Sequence, residues 1–202
     1  MPGRPSRTNE TITGARIQSE LNAAARVGQE IAEAGPAPLT RGVRLWTDTL
    51  GRGGKILLCG NGGSAADSQH AAAELVVKLR KVRRALPAIA LTTDTSILTA
   101  GANDLGFDHV FGRQVEALGN AGDLLVAIST SGRSKNILKA VDVARRLRLK
   151  TMALTGREPN PLARRCHLTL SVDTADTQRI QEVHILFLHI LCGQAERLLQ
   201  TR

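Results

Sequence analysis

His70 and Glu74 lie four residues apart in an alanine-rich segment whose pattern predicts a helix. Side chains at this spacing stand on one face of a helix, so this imidazole and carboxylate would face one ligand together. Such a pair can bind one divalent metal ion, or act as acid and base on one substrate. The ordinary alternative is a solvated surface pair. The residues around the pair therefore decide how it is interpreted.

The predicted helix is preceded by a glycine-rich turn, residues 60–64 (Gly-Asn-Gly-Gly-Ser), which follows an apolar run at 55–59. This order is typical of a buried strand, a turn and a helix start, where unpaired N–H groups favour an anion or a polyhydroxylated ligand. The glycines also match the dinucleotide fingerprint, which expects an acidic residue about 20 positions further on. Asp94 comes too late for that role. A sugar or anion is therefore the favoured ligand.

A second turn follows the apolar run at 124–128 and opens the helix predicted at 135–147. It carries four hydroxyl side chains in six residues: Ser129, Thr130, Ser131 and Ser134. A single hydroxyl is enough to cap a helix. Several hydroxyls together with the backbone amides of a helix start are typical of a phosphate site. We therefore predict that this loop binds phosphate.

Both turns belong to a longer alternation of strands and helices. Strands are predicted at 55–59, 88–91, 124–128, 150–155 and 167–172, and helices at 8–34, 40–50, after residue 64, and at 96–101, 107–118, 135–147 and 177–199. Asn103 and Asp104 are expected on a loop between two of these helices. Strands separated by helices pair in parallel and place ligand sites at their carboxyl ends. The sequence thus predicts an α/β fold with the site at one edge of the sheet.

The first and last helices carry further expectations. An apolar stripe without a local partner, as at 8–34, commonly packs on a second subunit. The segment 185–192 is apolar on nearly every face, which indicates that the last helix is buried. Its polar residues Gln181, His184 and His189 then need partners, and a structural hydrogen bond would meet that need as well as a ligand.

The composition limits the class of protein. The 202 residues, 42% of them hydrophobic, suit a flexible tail at 1–11 and one domain at 12–202, with N-terminal helices at 12–50 and an α/β core at 55–199. The formal net charge of +9 suits an anionic substrate, while an aromatic content of 2% argues against nucleic acid. Three scattered cysteines suggest no disulfide framework, and no apolar run suggests a signal or a membrane span. We predict a cytoplasmic protein without nucleic-acid or membrane partners.

With these motifs in view, the sequence resembles the sugar isomerase (SIS) domain family, and within it the phosphoheptose isomerases. The resemblance covers about residues 12–199. The residues that carry it are Cys59 to Ser64 with Asp67, His70 and Glu74; Asn103-Asp104; Ser129 to Gly132 with Ser134; and Arg179 to His184 continuing to His189. It implies an α/β, flavodoxin-like, doubly wound parallel sheet of five strands, assembled as a homotetramer.

The resemblance also implies the site residues. One Zn²⁺ per subunit would be bound by His70, Glu74, Gln181 and His189. Substrate would be contacted by Asn61, Gly62, Gly63, Glu74, Asn103, Asp104, Ser129, Thr130, Ser131, Ser134 and Gln181. Helical periodicity alone does not choose Gln181, because Glu182 lies closer to one line with His189.

The implied activity is that of an aldose–ketose isomerase, an intramolecular oxidoreductase. Such an enzyme would convert sedoheptulose 7-phosphate to D-glycero-D-manno-heptose 7-phosphate through an enediol, as the first step of nucleotide-activated heptose biosynthesis. Glu74 is expected as the base and His189 as its acid or base partner, with zinc polarising the substrate oxygens. Two alternatives stay open: isomerisation of another sugar phosphate, and a non-catalytic SIS protein that binds a replication-initiator partner.

Overall fold

A computed structural model describes residues 13–199 of the chain. The helices are α1 (Gly14–Glu33), α2 (Ala37–Gly51), α3 (Gly63–Val76), α4 (Thr95–Leu105), α5 (Val110–Leu118), α6 (Lys135–Arg146) and α7 (Thr177–Leu199). The strands are β1 (Ile56–Cys59), β2 (Ala88–Ala90), β3 (Leu124–Ser129), β4 (Lys150–Thr155) and β5 (Leu168–Ser171). Short 3-10 turns lie at Phe107–His109 and Ala163–Arg165. The predicted tail and the predicted first turn of the N-terminal helix fall outside the described residues.

The strands within residues 13–199 form one parallel sheet in the order β2-β1-β3-β4-β5. This is the flavodoxin-like order, so the predicted fold class is confirmed. The chain leaves β1 towards β2 on one side and leaves β3 towards β4 on the other. In such sheets ligands bind in the crevice at the carboxyl ends of the two strands where this direction changes. The two turns singled out in the sequence follow these two strands.

Helices pack on both faces of the sheet because its central strands are apolar on both faces. One face carries Leu58 of β1 under Trp46 and Leu188, from α2 and α7. The other carries Leu57 of β1 under Phe111 of α5 and the apolar side of α6. The two turns therefore begin at strand ends that are fixed by packing from both sides.

The structure corrects the prediction for Asn103 and Asp104, which lie in α4 and not on a loop. The helix begins after Asp94, whose side chain accepts the Ile97 N–H at 2.9 Å. It runs on to Gly106, whose φ of 86° ends it. The loop prediction was wrong because a helix tolerates an interior glycine such as Gly101 and stops only where the backbone turns left-handed.

The last helix is buried on one face and not on all faces as predicted. Leu188 is fully buried, whereas Leu186 is 41% exposed and His189 is exposed. None of the residues Gly14–Glu33 of α1 is buried, and Ile17 and Leu21 are 54% and 60% exposed. The helices of residues 13–199 include none that is both long enough and apolar enough to span a bilayer.

Candidate active site

His70, Glu74 and His189 meet where α3 and α7 lie side by side. His70 Nε2 is 3.0 Å from His189 Nε2 and 3.3 Å from Glu74 Oε1. The three ligand atoms all lie within 4.8 Å of one another. The structure therefore joins the predicted i, i+4 pair to a histidine 119 residues away, in a group that could hold one metal ion.

Helices α3 and α7 are parallel, because the contacts between them advance along both helices in the same direction. Next to the metal-ligand group, the Cys192 thiol of α7 lies 3.8 Å from the Ala71 carbonyl oxygen of α3. Burial, with a smaller contribution from the Glu74 carboxylate, raises the pKa of Cys192 to about 12. Cys192 therefore stays a neutral thiol and fills space between the helices.

One carboxylate oxygen of the group has no partner. Glu74 Oε2 is buried and accepts no hydrogen bond from any described residue. A buried carboxylate oxygen without a partner is unfavourable, and a cation bound beside it would relieve that cost. Two turns earlier on α3, Asp67 Oδ2 is buried and equally unpartnered, and burial raises the pKa of Asp67 while His70 opposes the shift. Two carboxyl groups of α3 therefore each have a buried oxygen without a partner among the described residues.

The glycine turn lets α7 approach the start of α3. A Cβ on Gly63 would lie 2.5 Å from Gln181 Nε2, so only glycine leaves room for that amide. Gln181 thus lies beside the turn, eight residues before His189, which is about 12 Å along the helix axis. The structure brings the predicted residues Gly63 and Gln181 together, at the opposite end of α3 from Glu74.

An amide pair joins this turn to the hydroxyl loop. Asn61 Nδ2 donates to Asn136 Oδ1 at 3.0 Å, and Asn136 Nδ2 donates back to Asn61 Oδ1 at 2.9 Å. Asn136 Oδ1 also accepts the Ile137 N–H at 2.9 Å, and the Asn136 side chain is buried. Asn136 is a site residue that the sequence reasoning missed. Its position two residues after Ser134, inside a predicted ligand loop, was the available signal.

The hydroxyl loop keeps its side chains away from ordinary capping. Ser134 occupies the N-cap of α6 but makes no side-chain cap hydrogen bond; its Oγ lies 3.2 Å from Ser129 Oγ. Ser131 Oγ accepts the Arg133 N–H at 3.2 Å, which leaves its own hydroxyl hydrogen available to a ligand. Thr130 is half-buried beside them. The alternative of a simple helix cap therefore does not account for this loop.

Comparison with known proteins identifies the family. The model of the SIS domain matches residues 21–156. The chain is 55% identical over 163 residues to the phosphoheptose isomerase of Aliarcobacter butzleri (strain RM4018), which covers 81% of this chain and 86% of that protein. The phosphoheptose isomerase of Helicobacter pylori (strain P12) is 50% identical over 181 residues, or 90% and 94% of the two chains. The chain belongs to the phosphoheptose isomerases.

Solved phosphoheptose isomerases have the same fold. GmhA from Neisseria gonorrhoeae matches with a TM-score of 0.85 and 44% identity over 91% of this chain and 98% of that chain. The phosphoheptose isomerase from Francisella tularensis matches with a TM-score of 0.88 and 37% identity, covering 92% and 100%. The predicted family and enzyme class, an aldose–ketose isomerase, are confirmed.

Two residues of this chain that are predicted to contact substrate lie outside the metal-ligand group. Asn103 and Asp104 are exposed near the end of α4, where Asn103 Nδ2 donates to Asp104 Oδ1 at 2.7 Å. Asp104 is not among the ligand atoms that gather within 4.8 Å around His70. Their predicted contact with substrate stays a prediction.

The two histidines of α7 have different surroundings. His184 is fully buried, and neither ring nitrogen makes a hydrogen bond of good geometry within the described residues, although the Thr155 backbone lies near the ring. Burial lowers its pKa to about 4, against a smaller opposing effect of the Thr155 backbone, so the ring is neutral at pH 7. His189 is exposed and faces His70. His184 therefore belongs to the core and His189 to the site.

Proposed function

We propose that this protein converts sedoheptulose 7-phosphate to D-glycero-D-manno-heptose 7-phosphate, the first step of nucleotide-activated heptose biosynthesis. The observation that carries the proposal is the meeting of His70, Glu74 and His189 on α3 and α7, where α3 is opened by one of the two turns that border the crevice of the sheet. Identity of 55% to a protein named phosphoheptose isomerase supports the choice of substrate. The reaction moves a proton between C1 and C2 through an enediol.

The donor set suits one zinc ion per subunit. Two nitrogens on one tetrahedral zinc stand about 3.3 Å apart, and those of His70 and His189 are 3.0 Å apart. The unpartnered oxygen of Glu74 supplies the negative charge. Gln181, predicted as a fourth ligand, lies against Gly63 and would have to change rotamer to join them. Bound zinc would polarise the carbonyl and hydroxyl oxygens at C1 and C2.

Protein side chains would perform the proton transfers. Glu74 takes the proton from one carbon and returns it to the other, while the exposed His189 exchanges protons with the oxygens. The hydroxyl loop holds the phosphate, and Asn61, Gly62 and Gly63 face the sugar chain. Binding energy from the phosphate then positions C1 and C2 over Glu74.

The remaining expectations concern assembly and location. We propose a cytoplasmic homotetramer, since the exposed apolar side chains of Ile17 and Leu21 on α1 suit a subunit interface. The non-catalytic alternative, binding of a replication-initiator partner, leaves the complete His70, Glu74 and His189 group without a purpose.

The test is a coupled assay of the purified protein with sedoheptulose 7-phosphate, before and after removal of divalent metal. We expect turnover that a chelator abolishes and zinc restores. Turnover with another sugar phosphate but not with this one would favour the first alternative, and no turnover with any would favour the non-catalytic one. Chelator-insensitive turnover would remove zinc from the proposal and leave the isomerase in place.

A further inference from the structure

Glu196 of α7 connects this helix to the chain that follows α3, beyond the metal-ligand group. Glu196 stands seven residues after His189, two turns along the same face of α7 and about 10 Å further on. Its side chain is buried, and its carboxylate accepts the backbone N–H groups of Leu79, Arg80 and Lys81 at 3.0 Å each. A single side chain of α7 thus fixes the chain as it leaves α3.

Arg83 completes this connection. Its Nε lies 3.5 Å from Glu196 Oε2, and both side chains are at most 6% exposed. Its two terminal nitrogens donate to the backbone carbonyls of Glu74 and Leu75 at 2.8 and 2.7 Å. We call Arg83 and Glu196 the end clamp. The end clamp links the backbone of Glu74 to the helix that carries His189.

The charges of the end clamp are held in place. Burial alone would raise the pKa of Glu196, but the three N–H groups and Arg83 outweigh it and lower that pKa. A buried ion pair of this kind adds little stability compared with apolar residues, yet removing one partner is strongly destabilising. The main effect of the end clamp is therefore to fix the geometry, because it holds the ends of α3 and α7 in one arrangement.

We propose that Arg83 and Glu196 are positioning residues, which hold Glu74 and His189 at the separation that one metal ion requires. The proposal rests on the zinc site of the proposed function. Residues beyond the direct ligands commonly set ligand geometry, and their loss costs metal affinity even when the ligands are intact.

The chain offers a matched control at the opposite end of the sheet. Asp123 is 3% exposed. It accepts the Lys55 and Asn120 N–H groups at 2.9 and 2.8 Å and the Lys55 ammonium at 2.6 Å. Asp123 thus resembles Glu196 as a buried carboxylate that holds backbone amides and a cation. It differs in that it touches neither α3 nor α7.

The experiment measures zinc binding by calorimetry on metal-free protein, together with thermal unfolding. We expect Glu196→Gln and Arg83→Lys to weaken zinc binding by about 10- to 100-fold, and Asp123→Asn to leave it unchanged although it lowers the melting temperature as Glu196→Gln does. The KM for the sugar phosphate should stay unchanged in the clamp variants while kcat falls, because the phosphate loop is untouched.

Folded clamp variants that bind zinc as tightly as the unaltered protein would overturn the proposal and leave the proposed function standing. Equal losses in Asp123→Asn would overturn it as well, since they would mark a general effect of stability. If Glu196→Gln does not fold, Arg83→Lys decides, because it keeps the charge and loses the guanidinium hydrogen bonds to the Glu74, Leu75 and Arg84 carbonyls. An unaltered protein that binds no zinc would overturn the clamp and the metal site together.

Discussion

The two turns that border the crevice occupy equivalent places in the fold, yet their side chains differ. Each follows a fully buried central strand and opens a helix. The turn before α3 is nearly without side chains, which admits Gln181, and its helix carries His70 two turns further on and Glu74 three turns further on. The loop before α6 consists mostly of hydroxyls. On the proposed function, one backbone arrangement would therefore serve two tasks: chemistry on the helix after the first turn and phosphate binding at the second turn.

The two turns are also connected to each other. The reciprocal amide bonds between Asn61 and Asn136 tie the two turns to each other. On the proposed function, a substrate held by its phosphate at the hydroxyl loop would thereby be placed against the glycine turn at a fixed distance. Substitution of the metal-ligand group on α3 should therefore change kcat, and substitution of the hydroxyl loop should change KM.

The largest effect is expected for Glu74→Gln, which removes the proposed base. The kcat should fall by about 10²- to 10⁴-fold, the usual contribution of a general base, with little change in KM. Steady-state kinetics of the coupled reaction measure both constants. Glu116→Gln, at an exposed ion pair with Arg113, is the control and should retain full activity. Full turnover by Glu74→Gln would remove the assignment.

Ser131→Ala tests whether the hydroxyl loop binds the substrate phosphate. Loss of one hydrogen bond to a charged phosphate should raise KM by about 10- to 100-fold and leave kcat unchanged. Inorganic phosphate, as a competitive inhibitor, should weaken in parallel. An unaltered inhibition constant would show that this hydroxyl does not contact the anion.

Asn136→Ala would remove the two side-chain hydrogen bonds that join the turns. The half-buried Asn61 amide would lose both bonds, so the free energy of unfolding should fall by about 1–3 kcal/mol. KM should rise, by less than in Ser131→Ala. Gln114→Ala is a matched control, because this buried amide also makes two hydrogen bonds, to the Leu91 and Val110 carbonyls. Equal KM values in the two variants would mean that the Asn61–Asn136 pair only supports the fold.

The smallest effect is expected for Gly63→Ala. The added methyl would meet the end of the flexible Gln181 side chain, which can rotate away. An off-rotamer side chain costs about 0.5–1.5 kcal/mol, which corresponds to a rise in KM of about 2- to 10-fold if Gln181 contacts substrate. Gly28→Ala on α1, where an added Cβ meets nothing within 4 Å, should leave kinetics unchanged.

The strands were predictable from the sequence almost to the residue, because runs such as 124–128 are buried on both faces and bounded by turn residues. The ends of the helices were harder to predict from the sequence. Only the φ of Gly106, and not the presence of Gly101, decides where α4 stops. Local pattern can locate a buried strand, while the choice between two glycines depends on the tertiary structure.

The residues of the candidate site likewise fall into those that local sequence pattern could predict and those that it could not. The i, i+4 spacing was enough to pair His70 with Glu74, but it could not supply His189, which lies in a distant helix and came from the family resemblance. Asn136 and Glu196 were missed because such residues inside helices usually face water. Glu196 did carry one signal: a carboxylate near a helix C-terminus opposes the dipole and so requires partners of its own.

The parallel contact of α3 and α7 has a consequence for folding. Its two histidines are 119 residues apart, with most of the sheet between them, so an unfolded chain has no such group. On the proposed zinc site, metal binding and folding then become one equilibrium. Free zinc at a hundredfold excess over its dissociation constant would add about 2.7 kcal/mol to the free energy of unfolding. The lifetime of this enzyme in a cell would thus follow the zinc supply.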